Sequence, residues 1–178
     1  MRQFLLGLVL FALAMFHTQR ASAMGASAGL LVGDGFKDGY NLGLGARAGV
    51  TLPLGLYVGG TFVYHLGSTQ TFRGADLRAN VFYFGGEGGY EISAGPLTVR
   101  PYLGLGYASP RITQANCSLG ACVAGETSGD SKFALWPGAT VLLPVGNLFV
   151  GADLRYVVPF DTTDGNALGA FLTAGMSF

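Results

Sequence analysis

The chain ends in Leu168-Gly169-Ala170-Phe171-Leu172-Thr173-Ala174-Gly175-Met176-Ser177-Phe178. The even positions are Leu168, Ala170, Leu172, Ala174, Met176 and Phe178, and the odd positions are mostly small or weakly polar. A β-strand sends alternate side chains to opposite faces, so one face of this strand is wholly apolar. An apolar face that ends on an aromatic is what a lipid-facing strand of a closed barrel needs at its membrane interface.

The other end of the chain points to export. Arg2 precedes an apolar stretch from Phe4 to Phe16, polar residues His17 to Arg20 follow, and Ala21-Ser22-Ala23 fits a small-residue cleavage site. Residues 1–23 are therefore expected to be a signal peptide and residues 24–178 a single barrel domain. The alternative, an anchoring helix, would need about 20 apolar residues. No cysteine follows the apolar run directly, so a lipid-anchored form is not expected.

Composition agrees. Half of the 178 residues are hydrophobic, 11% are charged and 30 are glycine. Soluble domains carry about 25% charged residues, so this chain has too few to cover an ordinary surface. No later apolar run is long enough for a spanning helix, which leaves a barrel with its apolar face in lipid. Without Arg2 and Arg20, eight basic residues face ten acidic ones, and no basic run suggests a nucleic-acid partner. Cys117 and Cys122 are the only cysteines, and an exported chain is expected to join them in a disulfide. Two thiolates without nearby histidines make a poor metal site, so no metal or cofactor is expected.

The mature sequence divides into eight alternating segments: 25–32, 39–52, 56–66, 78–92, 97–107, 131–143, 148–158 and the terminal strand. The expected fold is all-β, an eight-stranded antiparallel transmembrane up-and-down β-barrel. Connections at 53–55, 93–96 and 144–147 are short, while those at 33–38, 67–77, 109–130 and 159–166 are longer and more polar. Outer-membrane barrels show this asymmetry, with short periplasmic turns and longer extracellular loops. An even strand number puts both mature termini in the periplasm. A soluble sandwich would bury its apolar face against a second sheet, and a lipocalin-like barrel would turn it inward. Pro101 and Pro137 fall inside strands and mark candidate bulges.

Strand parity sends Arg47, Glu87, Glu91, Arg100, Asp153 and Arg155 inward. A basic residue at mid-depth on the lipid face costs about 2–4 kcal/mol, so the charges themselves favour this parity. All six are expected near mid-height, with Glu87 and Glu91 beside Arg100 across one hairpin. They suit either an ion-pair gate in a narrow pore or a structural polar core. The structural core is preferred, because inward Tyr57, Tyr83, Tyr102, Trp136, Phe149 and Phe171 can fill the space beside inward glycines. Outward Tyr40, Tyr64, Tyr107, Phe133 and Tyr156 are expected to form one aromatic girdle, and Tyr90 and Phe178 the other.

Chemistry is sparse. His65 is the only histidine beyond the leader, and Ser68, Thr69 and Asp76 follow it. A His–Ser pair could serve acyl transfer on lipid, but nothing in the sequence marks it as a motif. Gly59-Gly60 and Gly85-Gly86-Glu87-Gly88-Gly89 lack a following helix and a Lys-Ser/Thr pair, so they are not phosphate loops.

On its leader, strand count, loop asymmetry and terminal Ala174-Gly175-Met176-Ser177-Phe178, the mature chain resembles the small eight-stranded outer-membrane barrels of the OmpA/OmpX type. The resemblance implies that Phe178 and Met176 form an assembly signal read by the barrel assembly machinery. Met176 stands where an aromatic is often found. It also implies a bacterial outer-membrane location, contact with membrane lipid and lipopolysaccharide, and a monomeric state. The expected function is a non-enzymatic structural and surface role in the Gram-negative envelope. The alternatives are a porin-like narrow channel for small solutes and a lipid-modifying enzyme using His65.

Overall fold

Gly25 to Gly35 forms strand β1, and its burial alternates residue by residue because its small inward side chains oppose Leu30 and Val32 on the outside. The computed structural model describes residues 25–178, apart from 38, 68, 73–74, 119–120 and 161–164. Over 69–72, 75–78, 112–118 and 121–128 it describes the backbone alone. The expected signal peptide and Ser68 lie outside the described residues.

The remaining strands are β2 (Gly43–Thr51), β3 (Leu56–His65), β4 (Thr69–Phe72), β5 (Ala75–Tyr90), β6 (Ile92–Ala94), β7 (Leu97–Ser118), β8 (Ala121–Ser128), β9 (Lys132–Val145), β10 (Leu148–Pro159) and β11 (Ala167–Ser177). Every pairing is antiparallel, and the sheet closes through the β1–β11 and β5–β7 ladders. Eight strand paths build the wall. The segments β4, β6 and β8 continue β3, β5 and β9. The result is the expected all-β, eight-stranded transmembrane barrel.

Two long loops of the sequence reading are corrected. Residues 67–77 and 109–130 are mostly β-hairpin, with β4 against β5 and β7 against β8. Each hairpin meets the wall through a one-residue bulge. From His65↔Val81 to Thr69↔Arg78 the first strand advances four residues and its partner three. The same offset separates Ala108↔Lys132 from Arg111↔Ser128. At the first bulge a Cβ on Gly67 would collide with the Ala79 carbonyl, so glycine is required there. Pro101 and Pro137 mark no bulge, since the β7–β9 register runs through both.

At the opposite end, Gly95 (φ 65°) and Gly146 (φ 64°) hold positive-φ positions in two-residue turns. Both chain ends of the barrel lie here. Outward side chains such as Leu30, Leu44, Leu154 and Leu172 are exposed, as a lipid-facing surface requires. On the β3–β9 half the outer aromatics form a chain of ring contacts: Phe62, Phe82, Phe84, Tyr107, Phe133 and Phe160. Tyr40 does not join them. It precedes β2, where strand parity no longer applies, and turns inward to 6% exposure.

Phe178 lies on the outer face, and its backbone exchanges two hydrogen bonds with Ala26, at 2.8 and 3.2 Å. Deleting Phe178 removes one aromatic and this last pair of the closing seam. The truncated chain is expected to refold in detergent with stability lowered by about 1–3 kcal/mol, measured by urea titration of the heat-dependent gel shift.

Candidate functional site

The inward faces carry the ionisable groups, and the structure sorts them into two tiers. The central tier is Arg47 on β2, Glu87 on β5, and Asp153 and Arg155 on β10. Arg47 Nη2 lies 2.9 Å from Asp153 Oδ2, and its Nε lies 2.7 Å from Glu87 Oε2. Arg155 Nε donates to Asp153 Oδ1 at 2.7 Å, and its Nη1 is 3.8 Å from Glu87 Oε1. Two cations and two anions therefore balance in a space closed to water, with Asp153 2% and Arg155 1% exposed.

Neutral side chains complete the tier. Thr140 Oγ1 donates to Asp153 at 2.6 Å and accepts from Arg47 Nη1 at 2.8 Å. Tyr102 hydroxyl donates to Asp153 at 3.0 Å, and Trp136 Nε1 donates to Glu87 at 3.0 Å. Sequence reasoning took Tyr102 and Trp136 as space fillers and missed Thr140. Their polar tips were the available signal, because a buried indole N–H or phenol needs a partner. Room for the rings comes from glycine: a Cβ on Gly104 would fall within the Trp136 indole, and one on Gly138 would meet the Tyr102 ring. The network ties together β2, β5, β7, β9 and β10.

The second tier lies near the turn end. Arg100 Nε donates to Glu91 Oε1 at 3.0 Å, and its Nη2 contacts the same oxygen. The guanidinium stacks 3.8 Å above the Tyr57 ring. The pair lines an open cavity of about 180 Å³, together with Thr51, Thr98, Leu142 and Phe149. The expected single cluster is thus divided. Glu87 does not neighbour Arg100; the hairpin register sets Glu87 opposite Gly104, and Gly89 opposite Tyr102 leaves Arg100 facing Glu91. Between the tiers the Tyr57 hydroxyl is buried without a partner.

His65 is buried at 1% exposure near the hairpin end. Its Nδ1 lies 2.8 Å from the Asn41 carbonyl, and its ring meets Tyr40, Tyr83 and Phe171. The side chains of Thr69 and Asp76 are not among the described ones, so the described contacts of His65 are aromatic and backbone groups. No cluster of three metal-ligating residues occurs among the described residues.

The two tiers differ in what breaking them costs. Asp153→Ala strands two buried guanidinium groups and is expected to destabilise by about 3–5 kcal/mol. Arg100→Ala leaves Glu91 at the edge of an open cavity that water can enter, so its cost is expected to be smaller. Urea unfolding of the two variants in the same detergent checks the order.

The sequence of residues 4–178 matches the family model described as the outer membrane protein beta-barrel domain. No curated protein matches the chain by sequence. Solved structures of similar shape share little sequence. A major outer membrane protein from Thermus thermophilus superposes with a TM-score of 0.69 at 15% identity, covering 88% of this chain and 100% of that one. The N-terminal β-barrel domain of Pseudomonas aeruginosa OprF gives 0.56 at 15% identity, covering 86% and 97%. Ail, the attachment invasion locus protein of Yersinia pestis, gives 0.55 at 19% identity, covering 87% and 97%. At these identities the likeness is one of fold, and with the family match it establishes that this chain belongs to the outer membrane protein beta-barrel family of the bacterial outer membrane.

Proposed function

We propose that this barrel is a non-enzymatic envelope protein, built to hold two hairpins at the cell surface rather than to conduct solutes. The observation that carries this reading is the central tier. Arg47, Glu87, Asp153 and Arg155, braced by Thr140 and Trp136, fill an interior about one side chain wide. In this reading residues 1–23 are removed on export, the turn end and both mature termini face the periplasm, and the hairpins face outward. Membrane lipid and lipopolysaccharide surround a monomer, and the barrel assembly machinery reads Phe178 and Met176.

The narrow-channel reading has its own support in the open cavity beside Arg100. Planar-bilayer recording separates the two. The structural reading expects no steady unitary current from purified protein. Reproducible ion-selective openings, abolished by bulky substitution at the cavity, would favour the channel. The lipid-enzyme reading rests on His65, whose enclosure by aromatic rings supports a packing role instead. Unchanged lipid profiles in cells with and without the protein are expected.

The β7–β8 register makes Cys117 and Cys122 direct cross-strand partners. A disulfide there would lock the tip of the longer hairpin. Mass spectrometry of exported protein is expected to find the two cysteines linked, and free thiols would count against it. Reduction should loosen this hairpin alone, with a stability loss on the order of 2–3 kcal/mol at most.

A further inference from the structure

Tyr40 belongs to no strand, yet it is buried at the hairpin end of the barrel. It sits in the β1–β2 connection, directly after Gly39 with φ 87°. Its hydroxyl donates to the Gly165 carbonyl at 3.1 Å. Its N–H donates to Lys37 at 2.9 Å, and its carbonyl accepts from Gly35 at 2.6 Å. Its ring stands edge-on to His65, 5.1 Å between centroids. From within the barrel, His65 Nδ1 reaches the carbonyl of Asn41 in the same connection, at 2.8 Å. A carbonyl can only accept, so the proton is on Nδ1. Gly43 makes the space, since a Cβ there would press on the imidazole.

We propose that the β1–β2 connection is a lid on the barrel mouth, latched from beneath by neutral His65, and that protonation of His65 releases it. The groups around the imidazole carry the argument. The lid presents Tyr40, β5 presents Tyr83 and β11 presents Phe171, with the last two rings each 5.8 Å from the imidazole. From β10 the Arg155 guanidinium approaches the same two rings, 5.9 Å from Tyr83 and 5.0 Å from Phe171. Asp34 is the acidic neighbour, and it lies on the exposed outer side of β1. A proton added to His65 thus places a second cation on rings that already face Arg155, in a box closed to water. Burying an uncompensated charge is costly, and the ring escapes that cost by turning toward solvent. Turning breaks the bond to Asn41 and the contact with Tyr40 together. The lid is therefore held at neutral pH and released as pH falls.

The whole barrel in lipid nanodiscs is the system for the test. Hydrogen exchange of the Gly35 and Tyr40 amides, corrected for intrinsic rates, is followed between about pH 7.5 and about pH 5, the range in which histidine changes charge. Trp136, the single tryptophan, lies 5.4 Å from Tyr83 and gives a fluorescence readout beneath the lid. The two amides are expected to lose protection by about tenfold per pH unit below the transition while the β10 and β11 amides keep theirs. His65→Phe keeps a ring in the box and is expected to abolish the pH dependence. His65→Gln, which retains a donor for Asn41, serves if the phenylalanine variant does not fold. Tyr40→Ala is expected to expose the connection at both pH values. An unchanged pH profile in the His65 variants would overturn the proposal. So would flat protection and fluorescence in the wild type, or loss of protection in all strands at once.

Discussion

Hydrocarbon offers a backbone no water to bond with, and a sheet meets that constraint only by closing on itself. Closure here turns every apolar side chain of one parity toward lipid, so little apolar surface remains to build an ordinary core. Eight strands also leave an interior only wide enough for side chains. The inner parity must therefore be polar and still fill space. Asp153 shows how both demands are met. Its two oxygens accept from Arg47, Arg155, Thr140 and Tyr102, which come from four different strands. Each donor is a large or branched side chain, so hydrogen bonding and packing are satisfied by the same groups.

Such an interior is stable only when complete. A buried ion pair adds little over a well-packed apolar substitute, but removing one partner is expensive. Charge neutrality within the central tier follows from that asymmetry. So does the run of inward glycines, because Trp136 and Tyr102 need the volume that a Cβ on Gly104 or Gly138 would take. The Arg100–Glu91 pair obeys looser rules beside an open cavity, where water can replace a lost partner.

The wall of the barrel was legible in the sequence because lipid on one side and a narrow interior on the other impose strict alternation. The hairpin extensions were not. Residues 69–78 and 112–128 have neither lipid nor core to pattern them, and Gly67 at the first bulge reads like an ordinary turn residue. The inward parity of the charges could be read from the cost of the opposite choice, but their partners could not. Pairing depends on register, which the two-residue turn at Gly95-Pro96 fixes: Glu87 stands four residues from Glu91, about 13 Å along the strand. Extending the alternation of β2 back to Tyr40 sends its ring outward, but the strand stops short of it and Gly39 breaks the chain direction. The polar roles of Tyr102, Trp136 and Thr140 needed cross-barrel geometry that no local pattern contains.

The central claim is a lipid-facing outer wall around a filled polar interior. Spin labels placed one at a time from Val150 to Tyr156 on β10, in the barrel in bilayers, test it most directly. Accessibility to oxygen should be high at Val150, Ala152, Leu154 and Tyr156, and low at Gly151, with a water-soluble paramagnetic reagent excluded from all five. Free access of the water-soluble reagent at Gly151 would mean a water-filled pore, and free access along the even positions would mean that this face does not meet lipid at all.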